Sequence, residues 1–328
     1  MPSASMQRRA ALAACLFAVL PAGAQERALP PGPVRLVVGF AAGSGSDVVA
    51  RVVADKLAAR LNQAVVVDNK PGAAGLLAAD YVSKAVPDGR TIMFSTTALS
   101  TAVALREDLR LDPLKDLTPI AALGRSSVAL VVGPKSRAGS LEAFIREARS
   151  APAADSFTYG SSGAGGSTHF FMEQFAEIAK LKLLHVPYKG AGPALTALMG
   201  AEVHVMLAPP SVAATAVASH RARVLAVTGS RRSTLVPDAP PFADAGLAEF
   251  DATIMSGFVG PANLNKAALA HLNAALNAVY QDPEFRRNLS KIDDMEIVGG
   301  SDREFATAMA AELDKLRGVA RRANIKAQ

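Results

Sequence analysis

The chain has 328 residues, half of them apolar, which is enough to fill the cores of two domains of ordinary size. Its formal net charge is +6, but no stripe of Lys and Arg with interleaved aromatic residues is present, which argues against a nucleic-acid partner. The single cysteine, Cys15, lies near the N-terminus, so the rest of the chain has no disulfide and no thiolate for catalysis or metal binding.

Residues 1–24 have the pattern of an export signal. Arg8 and Arg9 supply positive charge, Ala10–Leu20 is apolar but too short to span a bilayer, and Ala22-Gly23-Ala24 is typical of a cleavage site. We therefore expect a periplasmic protein cut near Ala24, by a Sec or a Tat route. No later segment reaches 18 uninterrupted apolar residues, so the mature protein is not expected to be embedded in a membrane.

The first part of the chain alternates short apolar strands with amphipathic helices, a pattern that predicts an α/β fold. An apolar run at 121–132 is expected to cross into a second domain, and the strand at 223–228 to cross back. The predicted organisation is a signal peptide at 1–24, a discontinuous first lobe at 25–124 plus 228–328, and a second lobe at 125–227. Predicted first-lobe strands are 35–40, 64–68 and 91–95, with helices at 48–61 and 76–85.

The second part of the chain continues the alternation. Ser140 is expected to cap a helix at 141–149, and Gly192-Pro193 to open another. The segment 250–260 is expected to be extended. Strands are predicted at 157–159, 183–186 and 203–207, with late helices at 261–280, after Pro283, and at 302–324.

A glycine-rich stretch, TYGSSGAGGSTHF at 158–170, lies between a predicted strand and an apolar helical pattern. Glycine permits close approach of a backbone to a ligand, and the free N–H groups of a first helical turn attract anions. The stretch 34–47 has the same order, with Asp47 expected as the helix N-cap. Two such loops suggest two jaws that close on a small anion, although turns of this composition also occur in α/β proteins without a ligand.

Other candidates have competing interpretations. Ser95–Ala98 follows the carboxyl end of a strand, where open sheets bind ligands, but it could equally cap a helix. His169 is interpreted as a ligand contact or as a structural residue in the first helical turn. Tyr188 could donate a hydrogen bond to a ligand or pack at a hinge.

Several reaction motifs are missing. H-E-x-x-H is absent, Gly166 replaces the lysine of a P-loop, and Ala164 replaces the last glycine of a nucleophile elbow. We therefore expect no catalytic residues, no metal and no cofactor.

Seven segments carry a family resemblance in consistent order. They are FAAGSGSDVVAR (40–51), NKPGAAG (69–75), PDGRT (87–91), DPLKDLTPIA (112–121), TYGSSGAGGSTH (158–169), HVPYKGAGPALTALM (185–199) and VLAVTGSRRS (224–233). Through these segments the chain resembles the Bug (TctC-like) family of periplasmic solute-binding proteins, which serve tripartite tricarboxylate transporters. That resemblance implies a two-lobed, type II periplasmic-binding-protein fold with a ligand cleft at the hinge. It also implies partners: a small carboxylate, and permease subunits like TctA and TctB, with the receptor itself a monomer.

In relatives, the two glycine-rich loops hold a ligand carboxylate through N–H groups, hydroxyls and ordered waters. This chain departs from the family pattern at Ala41-Ala42 and Ser44, has Ala208-Pro209 in place of a polar pair, and lacks an aromatic residue near Met255. Ala208 favours a carboxylate without an amino group. The candidate ligand-binding residues are Phe40, Ala42, Gly43, Ser44, Gly45, Ser46, Asp47, Ser95, Thr97, Ser161, Ser162, Gly163, Gly165, Thr168, His169, Tyr188 and Ala208.

Three functions stay open at this point. The first is a solute-binding protein that delivers a small carboxylate to its transporter. The second is an orphan receptor that feeds a sensor kinase. The third, and most remote, is a periplasmic hydrolase that uses a serine of the loop 158–170.

Overall fold

The computed structural model describes residues 28–106, 109–151, 157–229, 231–292 and 294–325. The predicted signal peptide, with Cys15, lies outside these residues. Within them, no helix is both long and apolar enough to cross a membrane.

Two β-sheets, each with helices packed against it, give the mixed α/β fold that the sequence predicts. The strands are β1 (Val34–Val38), β2 (Val65–Asn69), β3 (Thr91–Thr96), β4 (Leu117–Ser126), β5 (Ala129–Val132), β6 (Thr158–Ser161), β7 (Leu184–Pro187), β8 (Val205–Ala208), β9 (Arg223–Val227), β10 (Ile254–Pro261) and β11 (Glu296–Ile297). The helices are α1 (Gly45–Leu61), α2 (Leu76–Ser83), α3 (Thr97–Ala104), α4 (Leu141–Arg149), α5 (Ser167–Ile178), α6 (Ala191–Met199), α7 (Pro210–Ala218), α8 (Lys266–Tyr280), α9 (Pro283–Ile292) and α10 (Asp302–Arg322).

The first sheet has the order β11-β4-β10-β3-β1-β2, and the elements around it form the first lobe. Its strands β1, β2 and β3 are parallel, while β10 runs antiparallel to β3. The second sheet, at the centre of the second lobe, has the order β7-β6-β8-β5-β9. Here β6 is parallel to both β7 and β8. Each sheet therefore has a parallel part whose carboxyl ends meet at one edge, the usual position of ligand sites in α/β proteins.

The chain crosses between the sheets where the apolar run 121–132 predicts it. Strand β4 pairs with β10 in the first sheet, and β5, which begins three residues later, pairs with β8 in the second. After β9 the chain returns to the first sheet as β10. The lobe boundaries predicted above stay a prediction, because the packing of α10 is shared between the lobes.

Helix α10 packs against both lobes. Phe305 and Leu313 belong to an apolar cluster of the first lobe that includes Met93. Leu316 and Val319, further along the same helix, belong to a cluster with Leu130, Leu207 and other residues of the second lobe. The apolar face of this helix therefore continues from one core to the other.

Helix α7 was not predicted, whereas α3 agrees with the interpretation of Ser95–Ala98 as the cap of a helix. Helix α7 begins directly after Pro209, because Pro210 occupies the first helical turn, where a proline loses no hydrogen bond. Helix α8 begins at Lys266 rather than at Pro261, because β10 extends through Pro261 and Asn265 caps the helix by accepting from the N–H groups of Ala267 and Ala268.

Candidate functional site

The loop after β1 leads into α1, and its helix start differs from the prediction. Helix α1 begins at Gly45, and its N-cap is Ser44, whose hydroxyl accepts from the N–H of Asp47 at 3.3 Å. The prediction of Asp47 as the N-cap is therefore wrong. Ser44 has the extended backbone of a cap and a hydroxyl that reaches the third helical residue, so the helix starts three residues earlier than predicted.

The buried Asp47 carboxylate stabilises this loop through hydrogen bonds. It is 2% exposed and accepts from the Gly43 N–H at 2.8 Å, from Arg51 Nε at 2.9 Å and from Asn69 Nδ2 at 2.8 Å. Burial alone would raise the pKa of Asp47, but these hydrogen bonds from Arg51, Gly43 and Asn69 outweigh it and lower that pKa. Both carboxylate oxygens are thus occupied by the protein itself.

Asn69 joins the end of β2 to the loop. Besides bonding Asp47, its Nδ2 donates to the Phe40 carbonyl at 3.0 Å, while Arg51 donates to its Oδ1 at 3.3 Å. The entry and the exit of the loop are therefore held by one amide side chain. Asn69 was not predicted as a site residue; its place at the carboxyl end of a predicted strand was the available signal.

In the loop 40–47, only a few N–H groups stay available to a ligand. The N–H of Ser44 donates to the Ala41 carbonyl at 3.1 Å, and that of Gly43 donates to Asp47. The N–H groups of Gly45 and Ser46, in the first turn of α1, have no acceptor among the described residues. They point from the positive end of a helix of 17 residues, which makes them suited to an anion.

In the loop 161–168, most N–H groups are occupied as well. The N–H of Ser162 donates to Thr168 Oγ1 at 3.0 Å, that of Gly163 to Ser161 Oγ at 3.2 Å, and that of Gly165 to His169 Nδ1 at 3.1 Å. Gly163 and Gly165 have φ of 141° and 75°, which glycine adopts readily. The loop is thus folded by its own hydrogen bonds before any ligand arrives.

The first turn of α5 keeps free donors at this loop. The N–H groups of Ser167 and Thr168 have no acceptor in the described chain, and both residues are buried, at 7% and 3% exposure. A buried helix start without partners needs water or a ligand to satisfy its N–H groups. These two donors are the counterparts of Gly45 and Ser46 on the other lobe.

Three stacked aromatic rings, those of His169, His185 and Tyr159, lie next to the loop 161–168. His169 and His185 stack at 4.1 Å between ring centroids, and Tyr159 stacks on His185 at 4.9 Å. Burial and the neighbouring His185 lower the pKa of His169 to about 4, so its ring is neutral at neutral pH and its Nδ1 can accept from Gly165. The Tyr159 hydroxyl donates to Glu173, and burial raises the pKa of both groups.

The serine hydroxyls of this loop have structural partners. Ser162 Oγ lies 2.8 Å from Thr168 Oγ1, and Ser161 Oγ lies 2.6 Å from His185 Nε2. Ser161 is fully buried. Ser162 therefore pairs with a threonine rather than with a histidine base, whereas the buried Ser161 is the loop serine that lies beside a histidine.

The end of β3 supplies the next candidates, Ser95 and Thr97, and both are buried. Thr96 caps α3 by accepting from the Ala98 N–H at 3.4 Å, in line with the N-cap interpretation of this segment. Thr97 Oγ1 donates to Glu312 Oε1 at 2.6 Å and accepts from the Met255 N–H at 2.8 Å. Burial raises the pKa of Glu312, although the bonds from Thr97 and Ser100 oppose this shift.

Tyr188 follows the carboxyl end of β7 and Ala208 is the last residue of β8, on either side of the loop after β6. Ala208 is fully buried. The Tyr188 hydroxyl donates to Glu202 at 3.4 Å, and burial followed by the nearby Glu202 charge raises the Tyr188 pKa. The second-lobe candidates therefore lie at one edge of the sheet, where the parallel strands end. The Tyr188 hydroxyl, however, already has a partner in Glu202.

A direct contact links the two lobes at this edge. Thr101 Oγ1, in α3 of the first lobe, donates to the Gly165 carbonyl of the second lobe at 3.0 Å. Helix α3 follows β3, and β3 neighbours β1, the strand that leads into the loop 40–47, so α3 belongs to the same sheet edge as that loop. Thr101 was not predicted as a site residue, and no local pattern could have indicated a contact across 64 residues.

Among the described residues, no group of His, Cys, Asp and Glu could hold a metal ion.

Two sheets, each with parallel strands that lead into a glycine-rich loop and a helix start, give the two-lobed fold of periplasmic solute-binding proteins. Residues 49–325 match the family model of the tripartite tricarboxylate transporter family receptor, so the chain belongs to that family. It is 32% identical over 311 residues to the UPF0065 protein of the gbd 5′ region of Cupriavidus necator, which covers 94% of this chain and 93% of that protein.

Solved structures agree with this assignment. The chain is similar to the periplasmic binding protein BugD, at 26% identity and a TM-score of 0.82, over 91% of this chain and 100% of that one. It is also similar to MatC of Rhodopseudomonas palustris with bound malate, at 28% identity and a TM-score of 0.81, over 89% and 99%. A third structure, R. palustris Rpa4515 with adipate, has 28% identity and a TM-score of 0.84, over 90% and 99%. The family is one of receptors rather than enzymes.

Proposed function

We propose that the protein captures a small organic acid in the periplasm and delivers it to the membrane permease of a tripartite tricarboxylate-type transporter. The observation that carries this proposal is the pair of helix starts, Gly45-Ser46 and Ser167-Thr168, whose N–H groups have no acceptor among the described residues. A carboxylate placed between them would accept from one helix start in each lobe.

The ligand class follows from the charges around these donors. Asp47, the carboxylate nearest the first helix start, is paired with Arg51, so its charge is offset. Among the candidate residues no Lys or Arg is present, so N–H groups and hydroxyls would bind the carboxylate. Similar structures contain malate and adipate, which supports a dicarboxylate. Ala208 offers no acceptor for an ammonium group, which supports an acid without an amine.

The cellular setting belongs to the same proposal. Residues 1–24 would direct export and be removed near Ala24, and the mature receptor would act as a monomer. Ligand would stabilise the closed arrangement of the lobes, because only that arrangement brings both helix starts to one carboxylate. The permease would then bind the closed form.

A thermal-shift series on ligand-stripped protein tests the proposal. The compounds are malate, adipate, citrate and aspartate, with adipamide and glucose as neutral controls. At about 100 times its Kd, a ligand should stabilise the protein by about 2.7 kcal/mol, a shift of several degrees in Tm. A shift with a dicarboxylate but not with adipamide supports the proposal. Shifts only with neutral compounds, or equal shifts with adipate and adipamide, would contradict it.

A further inference from the structure

Gly165 is held by both lobes at once. Its N–H donates to His169 Nδ1 at 3.1 Å within the second lobe, and its carbonyl accepts from Thr101 Oγ1 of the first lobe at 3.0 Å. Gly165 is buried and has φ of 75°. The first lobe therefore holds the carbonyl of Gly165 and the second lobe holds its N–H. Gly165 lies two residues before the start of α5.

The first-lobe end of this tie is itself anchored. Thr101 is fully buried and shares its hydroxyl proton with the Ala98 carbonyl, 2.9 Å away in the same helix. One turn earlier, Thr97 bonds Glu312 of α10 and the backbone of Met255 in β10. Helix α3 therefore has little freedom to follow the second lobe if the lobe moves.

The second-lobe end is equally constrained. His169 is 2% exposed and lies against His185, whose Nε2 is 2.6 Å from Ser161 Oγ. The charged and titratable groups that face it are His185 itself and, beyond the stacked Tyr159 ring, Glu173. The Gly165 backbone is thus held by two buried side chains, Thr101 and His169, and each of these has further contacts within its own lobe.

We propose that Thr101 is a positioning residue of the ligand site: by tying Gly165 to α3, its hydroxyl sets the place of the loop 161–168 relative to the first lobe and thereby the affinity for ligand, without touching ligand. This inference rests on the proposed function. Without the tie, the two pairs of N–H donors would sample several separations, and the ligand would have to supply the ordering free energy on binding.

Three variants separate positioning from a merely structural role. Thr101→Val keeps the shape and removes the donor, and Thr101→Ser restores the donor. Thr215→Val is the control, because the Thr215 hydroxyl bonds only the Ser211 carbonyl of its own exposed helix turn. Calorimetric titrations with malate and adipate give the affinities, and hydrogen exchange of the amides at 163–169 reports the loop.

We expect Thr101→Val to weaken binding roughly tenfold, as the loss of one buried hydrogen bond predicts, and to speed amide exchange at 163–169 by a similar factor. Thr101→Ser and Thr215→Val should stay within about twofold of wild type. Unchanged affinity and unchanged exchange in Thr101→Val would overturn the inference, as would a fall in Tm with neither change. If the wild type binds neither acid, the proposed function fails for these probes, and the exchange measurement alone decides on Thr101.

Discussion

Asn69 Nδ2 lies 2.8 Å from Asp47 Oδ1 and bridges the end of β2 to the first turn of α1. The same nitrogen lies 3.0 Å from the Phe40 carbonyl. A single side chain on one strand therefore fixes the loop that follows its neighbour, and this holds the N–H groups of Gly45 and Ser46, which have no acceptor among the described residues, in place for an anion. This relationship leads to the first prediction.

Asn69→Ala should weaken ligand binding and lower the free energy of unfolding by about 1–3 kcal/mol, because Asp47 and the Phe40 carbonyl both lose a partner. Asn69→Asp should be worse, since it places a second carboxylate beside Asp47. Urea unfolding and calorimetric titration with adipate measure the two effects. Asn288→Ala, at a half-buried position of α9, is the control. Equal behaviour of Asn69→Ala and the control would rule out the bridging role.

The second prediction concerns pH and His169. Its pKa is about 4 in the folded protein and near 6.5 when unfolded, so the unfolded chain binds the proton first as pH falls. Stability should therefore decrease between about pH 6.5 and pH 4, by about 3 kcal/mol for this group, and change no further below pH 4.

His169→Asn removes this titration while keeping an acceptor for the Gly165 N–H. Its stability should consequently vary less with pH over the same range than that of the wild type. His271→Asn, the same substitution at an exposed position of α8, is the control. Chemical unfolding at a series of pH values provides the comparison. Parallel wild-type and His169→Asn profiles would show that His169 is not held neutral.

A third prediction concerns Glu173, whose pKa burial raises although the bond from Tyr159 opposes it. A raised carboxyl pKa means that the folded state binds the proton more tightly, so this group costs stability as pH rises through its folded-state pKa. Glu173→Gln should therefore raise Tm at pH 8 more than at pH 4. Glu177→Gln, the same substitution on the exposed face of the same helix, is the control. A lower Tm for Glu173→Gln at both pH values would contradict the prediction.

The fourth prediction uses the backbone of Gly165. A Cβ here would meet no atom within 4 Å, but φ is 75°, so the cost of Gly165→Ala is backbone strain of about 1–2 kcal/mol. Gly139→Ala is the matched control, because that site is equally open and lacks a positive φ. Thermal unfolding should separate the two variants, and the affinity for adipate should fall only in Gly165→Ala. Equal stability of both variants would argue against the left-handed conformation.

The sequence predicted the parts of this structure that depend on local patterns. Apolar periodicity placed α1 and α4 within a few residues, and Ser140 caps α4 as expected, with its hydroxyl 3.2 Å from the Ala143 N–H. The glycine-rich loops were predicted from composition, because positive φ and helix starts leave a local signature. The α/β fold class and the crossing near 121–132 are also confirmed.

What the sequence missed depends on contacts between distant segments. Thr101 and Gly165 meet only because β3 and β6 end at facing edges, and Asn69 reaches Asp47 only because β2 neighbours β1. Which N–H groups are available to a ligand was not predicted either, since those of Gly163 and Gly165 donate to Ser161 and His169. Those of Ser167 and Thr168 take their place as candidates. Ligand contact by the other predicted residues stays a prediction.

The most direct test of the central claim is a TROSY titration of the 15N-labelled, ligand-stripped protein with adipate. We expect the largest amide shifts at Gly45, Ser46, Ser167 and Thr168, because carboxylate oxygens would accept from these N–H groups, and no comparable shifts with adipamide. Binding of adipate that leaves these four amides unmoved and shifts a different part of the protein would contradict the account.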